Sequence, residues 1–566
     1  MPAGLYQQEA LHFHLRHIAG LDSLLQSDRF NHIDDTVINL MMEQSERFSE
    51  ESLVALASEG DRLGCQLLDS QVMLPEGSAA AYRQWCELGF PALPIPQEQG
   101  GFGFPRVVQQ VIQELQDGAN LAFGMLCINQ RCAAAALMAS ATASQIETWL
   151  PLLISGDLAA TIAISEPQAG SDVGRITTRA AVNDDGSWLL SGTKFWISYG
   201  DHDATDNILH LVLARTGDSG TRGLSLFAVP KILDDQRNGV QVLRLEEKMG
   251  LHASPTCVLE LENAQGYLIG EEGRGLVSLF PMMNAMRLAV SVQGSAVANA
   301  ATQHALQYAN ERKQGGRPEL PAVAIVQHAD VKRMLLEMTA KSELLRALSM
   351  RTASYLDLSE TCSGEPSQRF KRFAELLLPV AKTLSAEWGF DVANQGIQVL
   401  GGYGYTSDFP LERMARDIRV AAIYEGTSGI QALDFVKRKL LGDKLETICE
   451  LLDIIADDLN ASISSDNPLR QPLDVMLQSY HGLLKDLCEG EFDVNDSAYA
   501  ILRLSGLLFC AWNGAVLYSA SEAGKTSYLQ RLNQSLAWFS VGLSDDFNGW
   551  VSRARAGKFD FTLESD

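Results

Sequence analysis

The sequence predicts an α+β protein in which helices and strands are segregated along the chain rather than alternating. With 566 residues, the chain is too long for one ordinary domain. Apolar residues at helical spacing dominate the first part, short strand-like runs form the middle, and helical spacing then returns. The predicted domains are an N-terminal helical domain at 1–160, a central antiparallel β domain at 161–275, a C-terminal helical (four-helix bundle) domain at 276–440 and an additional helical C-terminal domain at 441–566.

The helical parts are predicted from apolar stripes. One stripe in the N-terminal part has spacings compatible with a single helix face and consists of Leu53, Leu56, Leu63, Leu67 and Leu68. A second stripe, in the C-terminal extension, consists of Leu445, Ile448, Leu451, Leu452, Ile455 and Leu459. The polar residues of the extension form no pattern that indicates chemistry. We therefore predict a packing or oligomerisation role for it.

The central domain is predicted from short runs such as NILHLVLAR and TCVLELEN, which Gly, Asn and Asp separate. Two glycine-rich segments, GEEGRG at 270–275 and GGYGYT at 401–406, flank the later helices. Neither is a GxGxxG motif that opens a βαβ unit, so a nicotinamide-binding Rossmann site has little support.

Composition excludes several classes of function. The formal net charge is −25 and the pI is about 4.8, which argues against nucleic acids and anionic membranes as partners. The nine cysteines show no metal-ligand spacing, so we predict no metal site and reduced thiols. The N-terminus lacks the pattern of a secretory signal, and no run reaches the roughly 18 apolar residues of a membrane span. We therefore expect a cytoplasmic protein without an integral membrane segment.

Three segments carry the functional argument, and the first is IAISEPQAGSD at 162–172. A predicted strand ends there in a Ser-Glu-Pro turn, which a Gly-Ser-Asp loop follows. Exposed backbone N–H groups and hydroxyls in such a loop can bind a phosphate or a polar cofactor edge. Taken alone, the segment is equally compatible with an ordinary β-turn.

The second segment is SGTKFWISYG at 191–200. Trp196 offers a flat apolar surface, and Ser198 offers a hydroxyl close to it. An isoalloxazine ring needs this combination of stacking area and a hydrogen bond near N5. Taken alone, a Trp in a strand is more often part of the core.

The third segment is GGYGYTSDFPLERMARDIRVAAIYEGTSGIQ at 401–431. Glu425 lies there on a Gly-rich turn between two helical stretches, among apolar neighbours. Desolvation would raise the pKa of such a carboxyl and make it a suitable base. Taken alone, a Glu that caps a helix is the commoner explanation.

In this order and at these separations, the three segments resemble the acyl-CoA dehydrogenase superfamily over about residues 35–440. SEPQAGSD resembles the first signature of that family, and IYEGTSGIQ resembles the second. The resemblance implies FAD as cofactor and an acyl-CoA as substrate. Glu425, as catalytic residue, would take the α-proton while the β-hydrogen leaves as hydride to flavin N5, which yields a trans-2-enoyl-CoA.

The resemblance also implies roles for individual residues. The cofactor-binding positions would be Ser165, Trp196, Ser198, Arg312, Gln398, Gly401, Gly402 and Thr427. The substrate-binding positions would be Ser171, Arg287 and Tyr424. In the family, the counterparts of Arg312 and Gln398 reach the cofactor of a neighbouring subunit. A homodimer or homotetramer is therefore implied, with an electron-transfer flavoprotein as electron acceptor.

The sequence departs from the family pattern at several positions. Gly315 replaces the Phe of an R-x-x-F-G element, and the segment after it is longer than usual. Either Gln327 or His328 would then fill the next cofactor contact. Met286 occupies the position at which isovaleryl-type members carry their base, and an apolar side chain cannot abstract a proton. The resemblance therefore leaves Glu425 as the base.

The extension and the longer loop resemble the branch that contains 3-methylmercaptopropionyl-CoA dehydrogenase. A short or medium straight-chain acyl-CoA is also open as substrate, because one pocket methylene changes discrimination by only about 1–3 kcal/mol. Two other functions are open at this point. One is a relative with this fold that associates with DNA, and the other is an acyl-CoA oxidase that passes electrons to oxygen.

Overall fold

The computed structural model describes residues 8–218, 220–522 and 524–556. Residues 1–7 lie outside the described residues, and they belong to the N-terminal segment that lacks the pattern of a secretory signal. The chain forms two compact units. The helical unit comprises the described parts of 1–34, 106–114 and 290–566, and the sheet unit comprises 35–105 and 115–289. The predicted domain bounds follow chain order and stay a prediction.

Most of the chain is helical. The helices are α1 Gln8–His17, α2 Leu21–Leu25, α3 Asp35–Phe48, α4 Val54–Leu63, α5 Ser78–Glu87, α6 Arg106–Ala119, α7 Leu121–Ser140, α8 Ala143–Ser155, α9 Gly275–Glu311, α10 Ala329–Thr361, α11 Glu365–Leu400, α12 Leu411–Ile418, α13 Ser428–Leu433, α14 Glu446–Ala461, α15 Arg470–Glu489, α16 Val494–Ser521, α17 Ser527–Ser540 and α18 Leu543–Arg555. Because helices precede and follow a single block of strands, the predicted α+β class is confirmed.

The strands lie almost entirely between the two helical stretches. They are β1 Gln66–Leu68, β2 Gln71–Met73, β3 Leu158–Ala163, β4 Arg179–Val182, β5 Trp188–Ser198, β6 Asn207–Arg215, β7 Leu224–Pro230, β8 Ile232–Leu233, β9 Gln236–Arg237, β10 Val240–Leu245 and β11 Thr256–Ile269. Seven of them form one sheet in the order β10-β11-β5-β4-β6-β3, with β7 paired to β11 and β6.

The central sheet is mixed, so the predicted purely antiparallel arrangement needs a correction. Strand β3 pairs with β6 in parallel over its whole length, from Leu158 opposite Asn207 to Ala163 opposite Val212. A parallel pair requires a long crossover, and β4 and β5 lie in the chain between these two strands. The interior face of the sheet packs a core that includes Leu190, Phe227 and Leu259.

The N-terminal leucine stripe does not form one helix. Helix α4 ends at Leu63, and Gly64 follows with φ 64° and ψ −176°, a backbone conformation that is open almost only to glycine and does not continue a helix. The next residues form the hairpin β1–β2, in which Leu68 is 53% exposed. The stripe in the extension is confirmed, because every member from Leu445 to Leu459 is buried along or beside α14.

Long helices cross closely in the helical unit. Gly294 of α9 approaches α11 so tightly that an added Cβ would lie 2.1 Å from the carbonyl oxygen of Ser385. Only a residue without a side chain fits such a backbone contact. The crossing fixes α9 against the stretch of α11 that carries Lys382 and Glu387.

Three helices correct the expectation that no segment is long and apolar enough to cross a membrane. By length and composition α7, α9 and α16 qualify among the described residues. The apolar windows of α7 and α16 are each 89% buried inside the protein, and that of α9 is 61% buried. For α7 and α16, such burial explains the apolar character by packing in a protein core.

Two buried histidines in the sheet unit predict a pH-dependent stability. Burial, and then the charge of Lys231, lowers the pKa of both His202 and His210 to about 3. An unfolded histidine titrates near 6.5, so below that pH the unfolded chain binds more protons. Stability is therefore fully present above pH 6.5 and is lost as the pH falls toward 3. We expect each histidine to lower the free energy of unfolding by roughly 2 kcal/mol between pH 7 and pH 5.

Urea denaturation followed by tryptophan fluorescence at several pH values measures this loss. The variant His481→Gln, at an exposed position, serves as control and should show the same pH dependence as the parent chain. Equal stability of the sheet unit at pH 7 and pH 5 would contradict the assignment of neutral, buried histidines.

Candidate active site

A β-bulge in the sheet unit presents Trp196 at the surface. In β5, Lys194 pairs with Leu259 and Ile197 with Cys257, so Phe195 and Trp196 together oppose Val258. Trp196 has a φ of 64°, which is rare for a bulky residue and marks a local constraint. A bulge re-aims side chains, and this one leaves the indole 60% exposed. The result is an accessible flat aromatic surface.

The two serines predicted to bind the flavin lie on the same part of the sheet. The Phe195 N–H donates to the Ser165 carbonyl at 2.9 Å, which joins the loop after β3 to the bulge. The Ser198 carbonyl accepts from the Thr161 hydroxyl at 2.7 Å and from the Asn129 amide at 3.1 Å. Ser165, Trp196 and Ser198 are therefore brought together. Their contact with a flavin stays a prediction.

An ion pair lies beneath this surface. Lys194 and Glu166 are almost completely buried and meet at 2.9 Å. The Lys194 ammonium also donates to the carbonyls of Ile164 and Leu213, at 3.0 and 2.7 Å. Through these contacts one side chain connects β5 to the end of β3 and to β6.

Glu166 is held as a carboxylate. Burial alone would raise its pKa, but the Lys194 charge and hydrogen bonds from Lys194 and the Thr177–Thr178 segment lower that pKa to about 2. Burial lowers the pKa of Lys194 to about 8, with Glu166 opposing the shift, so the ammonium persists at neutral pH. Both groups are therefore charged at pH 7, and their buried ion pair fixes the SEPQAGSD loop.

The predicted CoA-binding residues of the sheet unit lie in different surroundings. Ser171 is exposed, in a loop where neighbouring Asp172 pairs with Arg175 at 2.7 Å. Arg287 lies on α9 and is only 7% exposed. A buried guanidinium is suited to fixed recognition of an anionic group. The substrate-binding roles of both residues stay predictions.

In the helical unit, Glu425 lies on a strained turn. Glu425 and Gly426 both have left-handed backbone conformations, with φ of 55° and 86°. Two buried side chains fix their carbonyls. The Gln431 amide donates to the Glu425 carbonyl at 2.8 Å, and the Lys382 ammonium donates to the Gly426 carbonyl at 2.7 Å. Strain of this kind persists only where the surroundings impose it, and it is concentrated at functional sites.

The residues on either side of Glu425 are also fixed. The Tyr424 hydroxyl donates to the Gln293 side-chain carbonyl, and Gln293 is fully buried on α9. Thr427 caps α13, with its hydroxyl oxygen accepting the Ile430 N–H at 3.3 Å. The substrate role of Tyr424 and the cofactor role of Thr427 stay predictions.

An open cleft in the helical unit joins three of the predicted cofactor residues. Its volume is about 530 Å³, and its lining residues are Tyr308, Arg312, Gln314, Ile325, Val399, Leu400, Gly401, Gly402, Tyr403 and Thr406. A Cβ added at Gly401 or Gly402 would meet nothing within 4 Å, so a ligand can approach the backbone there. Arg312 adds a cation suited to phosphate. The rest of the lining is mostly apolar, so the cleft combines an apolar surface with one cation and accessible glycine backbone. Gln398 is exposed near the end of α11 but does not line it.

The longer loop folds back on itself next to this cleft. The Ile325 N–H donates to the Arg312 carbonyl at 2.8 Å, and the Gln314 N–H donates to the Val323 carbonyl at 2.9 Å. His328 packs beside Gly315, and its Nε2 bonds the Gln314 carbonyl at 2.8 Å. Gln327 is exposed. His328 is thus engaged within the loop, whereas Gln327 is accessible to a ligand.

Sequence reasoning missed the residues that fix the site from inside. These are Glu166 and Lys194 in the sheet unit and Lys382 and Gln431 in the helical unit. A signal exists for the two lysines. Each occurs as a lone cation within an apolar run, in GTKFWIS and in LLLPVAKTL. Lysine is almost never fully buried unless it is paired, so a lysine in such a run predicts an internal partner.

Comparison with known proteins gives a consistent result. Models described as acyl-CoA dehydrogenase N-terminal, middle and C-terminal domains match residues 40–157, 161–264 and 273–440. The 3-methylmercaptopropionyl-CoA dehydrogenase of Ruegeria pomeroyi is 38% identical over 542 residues, which cover 92% of each chain. The broad-specificity linear acyl-CoA dehydrogenase of Mycobacterium tuberculosis is 34% identical over 76% of this chain and 74% of its own.

Among solved structures, acyl-CoA dehydrogenase from Bacillus anthracis, complexed with FAD, has the same fold. Its TM-score is 0.75 over 94% of this chain and 89% of the other, at 21% identity. The family models end at residue 440, whereas the matches to this structure and to the Ruegeria protein cover more than nine-tenths of the chain. Both matches therefore include most of the C-terminal extension.

Proposed function

Because the chain belongs to the acyl-CoA dehydrogenase family, we propose that it converts an acyl-CoA to the trans-2-enoyl-CoA, with Glu425 as the base that takes the α-proton. The observation that carries this proposal is the turn at Glu425. The backbone of Glu425 and Gly426 is left-handed there, and two buried side chains hold its carbonyls, within the segment that resembles the second signature of the family.

Family membership confirms three predictions from the sequence: the resemblance itself, the class of enzyme and the cofactor. The chain is an oxidoreductase that acts on acyl-CoA, and its cofactor is FAD. The residues present fit this group, since the sheet unit presents an accessible indole beside two serines and the helical unit carries a glycine-lined cleft with Arg312.

The proposed mechanism assigns separate tasks to separate residues. FAD, when bound, supplies the acceptor for the hydride that leaves the substrate β-carbon. Trp196 offers stacking area to the flavin, and Ser165 and Ser198 offer hydrogen bonds to its edge. A carboxylate oxygen of Glu425 receives the α-proton. Because Gln431 fixes the Glu425 backbone, the base needs little reorganisation when it reacts.

For the acyl group, we propose 3-methylmercaptopropionyl-CoA or a short or medium straight-chain acyl-CoA. Support for the first comes from the Ruegeria relative, whose match includes most of the extension. Support for the second comes from the broad-specificity relative, which acts on linear acyl-CoA. Both remain candidates because a small change in an apolar pocket shifts discrimination only modestly.

We further propose a cytoplasmic homodimer or homotetramer that passes its electrons to an electron-transfer flavoprotein. The assembly is supported by Arg312 and Gln398, whose counterparts in the family reach a neighbouring subunit's cofactor. Both are exposed, and Arg312 lines the open cleft. A reducing compartment is supported by the nine cysteines, all of which are free thiols.

Anaerobic titration of the FAD-loaded protein against a panel of acyl-CoA thioesters tests the proposed function. We expect bleaching of the flavin by 3-methylmercaptopropionyl-CoA and by at least one short or medium straight-chain acyl-CoA, with enoyl-CoA formed in equal amount. No bleaching by any thioester would contradict it. Rapid reoxidation of the bleached protein by air would instead indicate an oxidase, and slow reoxidation that electron-transfer flavoprotein accelerates would support the proposed acceptor.

A further inference from the structure

One carboxylate in the helical unit joins the C-terminal extension to the turn that carries Glu425. Glu387 lies on α11 and accepts hydrogen bonds from three side chains. Ser428, at the start of α13, donates its hydroxyl at 2.8 Å. Tyr499 and Arg503, both on α16 of the extension, donate a phenol hydroxyl at 2.9 Å and a guanidinium N–H. Two elements distant in the sequence therefore share one acceptor.

Ser428 is only three residues beyond Glu425, in a turn that is sensitive to its supports. Glu425 and Gly426 are both left-handed, so this backbone is strained and keeps its shape only through external contacts. Lys382 and Gln431 fix the two carbonyls. The Glu387–Ser428 bond is a third support, and it fixes the end of the turn from which α13 begins.

On the extension side of this network, both donors pack against one indole ring. The Arg503 guanidinium lies over the Trp550 ring of α18 at 5.4 Å, and the Tyr499 ring meets the same indole edge-on at 5.9 Å. Arg553 covers that ring at 4.4 Å. Two donors with restricted side chains therefore present a fixed pair of hydrogen bonds to Glu387.

The ion pair between Arg503 and Glu387 is more shielded from solvent than an ordinary surface ion pair. Their side chains are only 14% and 20% exposed, so solvent screens the interaction less than at the surface. Burial and the nearby Glu387 charge raise the pKa of Tyr499 to about 12, so its hydroxyl remains a donor throughout the working pH range.

We propose that the C-terminal extension positions the catalytic turn, with Tyr499 and Arg503 as positioning residues that hold Glu387 and, through Ser428, the backbone of Glu425. The inference rests on the proposed function of Glu425 as base. It gives the extension a role in the reaction, beyond the packing or oligomerisation role that the sequence alone predicts.

The test compares full-length, FAD-loaded variants Tyr499→Phe and Arg503→Met with the parent protein. We expect the rate constant for anaerobic flavin reduction by acyl-CoA to fall by about 10-fold to 10²-fold in Arg503→Met, the size of effect that a misplaced group causes. The fall in Tyr499→Phe should be smaller, because Arg503 remains. The dissociation constant for acyl-CoA should change less than about two-fold, since the turn and not the binding surface is altered.

Two controls match these changes within the same extension. Tyr480→Phe removes a buried hydroxyl that bonds Ser505 at 2.7 Å, and Arg555→Met removes an ion pair with Asp486. Neither residue bonds Glu387, so both controls should retain the parent rate of flavin reduction even where they lower the melting temperature. The variant Arg503→Lys keeps the charge and should recover part of the lost rate.

A second readout does not depend on activity. Hydrogen–deuterium exchange in the peptide 423–431 should accelerate in Tyr499→Phe and Arg503→Met and stay unchanged in the two controls, because only the former release Glu387. Unchanged exchange in that peptide would overturn the proposal whether or not any thioester bleaches the flavin. Equal losses of rate in variants and controls would also overturn it, and they would assign the extension to packing alone.

The two proposals fail in different ways. Absence of bleaching in the parent protein counts against the proposed function and leaves the exchange measurement to decide the role of the extension. Bleaching in the parent with unchanged exchange and rate in Tyr499→Phe and Arg503→Met counts against the positioning role alone.

Discussion

Replacement of Glu425 by Gln is expected to slow flavin bleaching by acyl-CoA by about 10²–10⁴-fold, the range that a general base contributes. An amide cannot accept the α-proton, but it has the size and shape of the carboxylate. The turn should survive the change, because Gln431 and Lys382 bind the backbone carbonyls of Glu425 and Gly426 rather than the carboxylate. We therefore expect a folded, yellow protein that binds acyl-CoA and reduces its flavin only slowly.

The variant Glu446→Gln is a matched control. Glu446 is exposed in the first turn of α14, and its replacement should leave the rate of bleaching unchanged. Stopped-flow absorbance of the flavin, recorded without oxygen, measures both variants. Normal bleaching in Glu425→Gln would show that another group takes the proton. Met286 is not a candidate, since it is apolar, and the base would then have to be sought elsewhere.

Local patterns in the sequence were sufficient for much of the fold. The stripe from Leu445 to Leu459 lies along one helix, and its period alone determines which face is buried. The motif around Glu425 predicted a turn, and the structure has that turn at Glu425 and Gly426, just before α13. The order of helical and strand-like runs predicted the α+β class.

Contacts between distant residues explain what the sequence did not predict. The parallel pairing of β3 with β6 depends on partners almost fifty residues apart, and no local pattern encodes it. Conversely, Leu63 and Leu68 continued a helical period across Gly64, where the backbone turns into a hairpin. The sequence was also judged to contain no segment apolar enough to span a membrane, whereas α7 and α16 qualify by length and composition, as a helix buried on all sides can.

The candidate site likewise combines residues that local motifs predict with residues that only distant contacts reveal. Glu425, Trp196 and Arg312 belong to recognisable motifs, so residue type and order were enough to propose them as site residues, and their roles stay predictions. The supports of these residues come from elsewhere in the chain. Lys382 reaches Gly426 from a helix more than forty residues away, and Glu387 links that helix to the extension. Such partners become visible only when the fold brings them together.

The second large effect is expected from Lys194→Met in the sheet unit. The change leaves the Glu166 carboxylate buried without its cationic partner, and removing one member of a buried pair costs about 3–5 kcal/mol. It also removes donors to the carbonyls of Ile164 and Leu213. Because Ile164 precedes Ser165, whose carbonyl is bonded to Phe195 beside Trp196, the loss should reach the flavin surface and weaken FAD binding as well.

Thermal denaturation and the FAD content after gel filtration measure the two consequences. The control Arg274→Met removes an exposed ion pair with Glu271, and its cost in free energy of unfolding should stay within about 1 kcal/mol.

A double-mutant cycle with Glu166→Gln separates the Lys194–Glu166 ion pair from its surroundings. A neutral Gln does not need a cationic partner. Glu166→Gln should therefore lower the free energy of unfolding less in the Lys194→Met background than in the parent protein, with a coupling energy of about 0.5–3 kcal/mol. Additive losses would show that Lys194 acts through its contacts with the Ile164 and Leu213 carbonyls. Those hydrogen bonds, rather than the ion pair, would then position the loop that carries Ser165.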